Sequence, residues 1–88
     1  MDKAEVTIYH TDGNQEQRFL NKQKLLSELQ EIVGGYIERI PLPMMQGYCL
    51  IVNEEGLIYG LPLNPYHLRL QTPPFVGDAV LIRNADFN

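Results

Sequence analysis

One cysteine, no tryptophan, few basic residues and no long apolar run set the first limits on this 88-residue chain. A lone Cys49 cannot close an internal disulfide, which fits a reducing compartment. No stretch approaches the ~18 consecutive apolar residues of a membrane span. The opening "MDKAEVTIYH" is too polar for a signal peptide, so a soluble, cytoplasmic protein is expected. Seven Lys and Arg stand against eleven Asp and Glu, a net charge of −4. The bases are scattered, and without a basic stripe there is no means of releasing counterions from duplex DNA. The acids are too sparse to imitate DNA phosphates. A chain of this length hides only about 60–65% of the surface its unfolded form exposes, which predicts one domain over 1–88, a core one layer thick and no deep cavity. Repeats, low-complexity tracts and linkers are absent from the sequence.

What is present reads as a succession of short elements. In "KAEVTIYH", Ala4, Val6 and Ile8 alternate with Glu5, Thr7 and Tyr9, the period of a half-buried strand. Asp12-Gly13 favours a tight turn, and "QEQRFL" returns as a more polar partner, giving an opening hairpin over 3–20. The clearest helix, "NKQKLLSELQEIVGG", is predicted over 21–34. Asn21 caps it, Leu20 and Leu25 take the positions of a hydrophobic staple, and Leu25, Leu26, Leu29, Ile32 and Val33 form one apolar stripe before Gly34 or Gly35 ends it. "YIERIPLP" is a strand stopped by Pro41 and Pro43. "GYCLIVN" is a strongly apolar strand, and "GLIYG" is expected to be its mate in a hairpin over 48–60. Asn64 as N-cap and Pro65 at the first helical position open a short helix over 64–71. "TPPFVGD" is a loop, the last strand covers 78–83, and "NADFN" is a frayed or lightly packed tail. The order predicts an α+β fold: a mixed four- to five-stranded sheet with one main helix packed on one face and a short second helix, β-grasp-like in arrangement. A split β-α-β layout would use much the same elements.

The run "LQEIVGGYIERIPLP", the stretch "GYCLIVNEEGLIYGLPLNP" and the closing "VGDAVLIR" together resemble domain of unknown function family 3846. That family is found mostly in small proteins of phages, plasmids and their bacterial hosts. The resemblance covers 29–83 and is strongest at Val33-Gly34-Gly35-Tyr36-Ile37, Asn53-Glu54-Glu55-Gly56, Gly60-Leu61-Pro62-Leu63-Asn64 and Val76-Gly77-Asp78. It implies a compact α+β domain carried by mobile elements, with no enzyme activity to transfer.

Catalytic and metal readings are weak residue by residue. Cys49 with His10 or His67 as base would need a reactive thiol, yet a cysteine inside an apolar strand is normally an inert small hydrophobe. His10 and Asp12 lie near one turn but lack further ligands nearby, so no metal is expected. Gly34-Gly35 follows a helix instead of preceding one, where the helix dipole repels phosphate. Glu54 and Glu55 are adjacent on a turn, so their side chains diverge, whereas paired catalytic carboxylates converge on one bond. A strand of ~3.3 Å per residue would hold that turn roughly 20–25 Å from the Asn64 cap, too far apart for one site.

The expectation is therefore a protein that is not an enzyme and carries no cofactor. It would be a phage or mobile-element accessory factor that sequesters a host immune signalling nucleotide or inhibits a host protein. The alternative is a small enzyme or enzyme-associated subunit in phage nucleotide metabolism. An anionic ligand would call on Arg39, Arg69 and Arg83 for charge and on Tyr36 and Tyr66 for stacking. Met44, Met45, Tyr48 and Tyr59 are the candidates for a homo-oligomer interface, since Met and Tyr are enriched where proteins meet.

Overall fold

A computed structural model describes residues 2–87. Five strands, β1 (Lys3–Tyr9), β2 (Gln15–Asn21), β3 (Ile37–Pro41), β4 (Tyr48–Asn53) and β5 (Ala79–Arg83), form one sheet in the order β2-β1-β5-β4-β3. All four pairings are antiparallel. The α+β class, the strand number and the main helix agree with expectation, but the sheet is antiparallel throughout instead of mixed. The reason lies between β4 and β5. Residues 54–78 leave and re-enter the sheet at the same end, so β5 runs back beside β4.

The opening hairpin closes where Asp12-Gly13 predicts. His10 N–H donates to Asn14 O at 2.9 Å, and Gly13 takes a φ of 92°, which favours glycine. The main helix begins with a 3-10 turn, Lys22–Lys24, and continues as α1 (Leu25–Val33). Asn21 Oδ1 accepts from Gln23 N–H at 2.9 Å, while Asn21 N–H donates to Glu28 Oε2 at 2.8 Å, so both ends of the cap are satisfied. At the C-terminus, Gly34 at φ 84° turns its own N–H and that of Gly35 onto Gln30 O. Leu29 and Val33 are buried and Leu25 and Ile32 half-buried against the sheet, but Leu26, expected in the same stripe, faces solvent.

The sheet buries side chains on both faces, so the one-layer core of expectation is two thin ones. Strand alternation sends Ala4, Val6, Ile8, Cys49, Ile51, Val80 and Ile82 under α1. Tyr9, Leu50, Val52, Ala79 and Leu81 go to the second face, where Tyr66, Leu70 and Phe75 from the 54–78 connection cover them. That connection carries α2 (Tyr66–Leu70) and an isolated bridge between Leu63 and Val76. The expected strand "GLIYG" does not form. Both edges of β4 are already taken, by β3 and β5, and residues 54–60 fold as consecutive turns. The tail is also better ordered than expected. Asn84–Phe87 is a helical turn, α3, whose Phe87 packs on the first core and whose Asp86 meets Lys22 at 2.9 Å; Asn88 lies outside the described residues.

Candidate functional site

The antiparallel order gathers the ends of β1 and β4, the starts of β3 and β5 and the C-terminus of α1 at one end of the sheet, the upper end below. All four segments that carry the family resemblance meet there. Asn53 and Asn64 join them. Asn53 is buried, donates from Nδ2 to Val33 O at 3.0 Å and accepts Glu55 N–H on Oδ1 at 2.7 Å. Gly35 packs closely beside it, where a Cβ would lie 3.1 Å from the Asn53 amide. Asn64 is fully buried; its Nδ2 donates to Tyr9 O and Gly77 O, both at 2.9 Å, and its Oδ1 accepts Tyr66 N–H at 2.9 Å. The cap predicted for α2 is thus also a clamp between the connection, β1 and the approach to β5. The two bonds from Nδ2 could not be read from a local motif, since their acceptors lie 55 and 13 residues away.

These clamps bring the turn and the cap together, contrary to the separation expected of a straight strand. Gly56 is buried so closely against Val76 that a Cβ would lie 2.7 Å from its Cγ2. Leu57 and Leu63 consequently line one open groove of about 370 Å³, with Glu38 and Ile40 of β3, Val52, Asn53 and Glu54 of β4 and its turn, and Pro74, Phe75 and Val76 of the returning chain. Above the groove three consecutive large residues stand in solvent: Leu57 is 83% exposed, Ile58 79% and Tyr59 60%. Monomeric proteins expose such residues singly, whereas here three stand together on a loop whose base is buried at Gly56. Tyr59 Oη donates to Glu55 Oε1 at 3.2 Å, an arrangement that holds the phenol above its ordinary pKa. Tyr36, also exposed, immediately precedes β3 and accepts Glu54 N–H on its carbonyl.

On the α1 side of the same end, His10 is held between two carboxylates. Nδ1 lies 2.8 Å from Asp78 Oδ2, and Nε2 lies 3.0 Å from Glu16 Oε1. The Glu16 hydrogen bond first, then that of Asp78, raises the imidazole pKa; His10 and then Arg18 lower that of Glu16. Both ring nitrogens are thus engaged by carboxylates. The carboxylates sit on opposite edges of the ring, so the three groups cannot converge on one ion. No cluster of metal-ligating side chains occurs among the described residues. Asp12, the other half of the H-x-D pair, is turned to Asn14 instead. Cys49 is buried under α1, where burial pushes its thiol pKa up, while His67 lies on the helix covering the opposite face. The sheet separates them.

The residues proposed for an anionic ligand do not converge on one site, although Arg69 and Tyr66 meet. Arg39 points to the α1 side, where Nη2 donates to Asn84 Oδ1 at 2.8 Å and the guanidinium lies 5.4 Å from the Phe87 ring centre. Arg69 sits on the other side of the sheet, 5.9 Å from the ring centre of Tyr66, and Arg83 pairs with Asp86 at the lower end. Tyr66 is buried, tilted against Tyr9 with ring centres 4.5 Å apart and its hydroxyl bonded to Gly13 O. Of the interface candidates, Tyr59 is at the upper end. Met44 is exposed on the β3–β4 loop at the lower end, Met45 is half-buried on the second core, and Tyr48 borders a shallow hollow with Met45, Leu81 and Arg83. Leu57 and Ile58 are not among the residues expected at an interface, because "GLIYG" reads as a strand, and the occupied edges of β4 show otherwise.

No helix among the described residues is long and apolar enough to cross a membrane. No curated protein and no solved structure was found to match the chain. The family model reaches further than the segments quoted above, back through the opening hairpin to Glu5, so that by a match over residues 5–88 the chain belongs to the family described as Domain of unknown function (DUF3846).

Proposed function

We propose that the chain is a non-enzymatic accessory protein of phages or plasmids that binds and inhibits a protein of the bacterial host, with counter-defence as the setting. The observation that carries this reading is the Leu57-Ile58-Tyr59 loop, an exposed apolar group whose base is pinned by Asn53, Gly56 and Asn64. Order in the loop before binding lowers the conformational entropy lost on association. The dispersed arginines favour a protein partner over a sequestered nucleotide, and the doubly engaged His10 favours binding over catalysis in nucleotide metabolism. Self-association belongs to the same reading, through the hollow bordered by Met45 and Tyr48.

The test is affinity capture from the bacterial host with the native chain and with the double variant Leu57→Ser/Ile58→Ser. A defined host protein retained by the first and lost by the second is expected, with unchanged thermal stability. Identical retained proteins in both, or a bound nucleotide with no protein, would contradict the proposal.

A further inference from the structure

The groove below the exposed loop has a composition and an edge that select among partners. Its two charged lining residues, Glu38 and Glu54, are both acidic and exposed, and its apolar lining comes from Ile40, Val52, Leu63 and Phe75. It opens along β3, the terminal strand of the sheet. The phase of that strand follows from one bond. Because Glu54 N–H donates to Tyr36 O at 2.8 Å, antiparallel alternation turns the main chain of Glu38 and Ile40 toward β4 and that of Ile37 outward. Pro41, which has no N–H, limits pairing to the upper part of the edge.

We propose, resting on the partner-binding reading above, that the groove takes an extended segment of the partner as an added strand along β3. Side chains of that segment on the second face, at every other position, would enter between Ile40 and Leu63, and its Lys or Arg residues would meet Glu38 and Glu54. Charge decides the class of occupant. A phosphate-bearing ligand would face two carboxylates with no base among the groove residues, and a second copy of this chain would oppose Glu38 and Glu54 with its own at a net charge of −4 each. A basic, apolar polypeptide meets neither repulsion.

The test uses two capped six-residue peptides, Lys alternating with Leu and Val in one and Glu alternating with the same residues in the other, titrated into the ¹⁵N-labelled protein at low salt. The Lys peptide is expected to bind at least tenfold more tightly than the Glu peptide, to weaken as salt is added, and to move the amide signals of Ile37, Ile40, Leu57 and Leu63. The exposed pair Glu38→Lys/Glu54→Lys should reverse the preference without unfolding the protein. Equal binding of both peptides, an unaltered preference in the charge-swapped variant, or signal changes confined to other surfaces would overturn the inference. If captured host protein is lost with Leu57→Ser/Ile58→Ser while the Lys peptide does not bind, the partner-binding reading stands and the β3 groove does not. If capture is indifferent to that variant and the peptide still binds as stated, the groove stands and the loop does not.

Discussion

The two faces of the sheet are closed by different means. On one face the amphipathic α1, flanked by Phe87 of α3, covers the strands; its backbone hydrogen bonds are internal, its ends are capped by Asn21 and Gly34, and its contribution is mainly apolar burial by Leu29 and Val33. On the other, the 25 residues of 54–78 contain only five in a helix, so their backbone must find partners elsewhere. Turn bonds within the connection, such as Leu61 N–H to Gly56 O and Gly77 N–H to Pro62 O, supply most of them, and the buried amides of Asn53 and Asn64 supply others. A helical cover leaves little to spare, whereas an irregular cover held at a few points can leave a stretch such as Leu57-Ile58-Tyr59 outside the core. The region that costs the most specific bonding is therefore the one able to present a surface.

That difference is open to mutation. Leu29→Ala, which empties a fully buried site under α1, should cost about 2–5 kcal/mol in urea unfolding. A cost below 1 kcal/mol would mean that the helix is not the main cover of that face. Asn64→Ala should cost roughly 3 kcal/mol, more than a cap alone, because two buried carbonyls lose their donor along with the α2 cap. In a chain of this size that is a fall of about 12–24 °C in melting temperature. Equal costs for Asn64→Ala and an ordinary exposed cap would show that the clamp carries no weight.

The His10 cluster predicts a smaller effect that depends on pH. Its folded pKa is raised above 6.5, so its contribution is complete below that value and fades as pH rises through the folded pKa. Glu16 is lowered from 4.5, so its contribution is complete above that value and is lost as pH falls through its folded pKa. The latch joining the first hairpin to β5 should therefore be strongest between about pH 4.5 and 6.5. The stability difference between the native chain and His10→Gln, measured by melting at several pH values, should shrink toward pH 9. A difference independent of pH would assign His10 a packing role. The smallest effect is expected from Leu57→Ser/Ile58→Ser, within about 0.5 kcal/mol of native, since neither side chain is buried. A larger loss would place the loop in the core.

The same contrast governs what the sequence could reveal. The hairpin at Asp12-Gly13, the helix from Asn21 to Gly34 and the last strand follow from local rules, period, cap and turn, and they stand where those rules put them. The 54–78 connection follows from occupancy. Whether "GLIYG" is a strand depends on whether β4 has an edge to offer, and that is decided by β3 and β5, elsewhere in the chain. Asn64 was legible as a cap but not as a clamp, because Tyr9 is 55 residues distant. Pairing of His10 with Asp78 spans 68 residues and carries no spacing signal at all. The exposed apolar surface was hidden for the converse reason, since an apolar run reads as buried until the fold shows nothing lying over it.

Amide hydrogen exchange across 54–78 in the native protein tests most directly whether this connection is an irregular, asparagine-clamped cover with an exposed apolar loop. The account predicts slow exchange at Asn64 and Gly77, whose N–H groups donate to Phe75 O and Pro62 O, and fast exchange at Leu57 and Ile58. Alternating protection through 57–60, the signature of a strand paired in the sheet, together with fast exchange at Asn64 and Gly77, would contradict it.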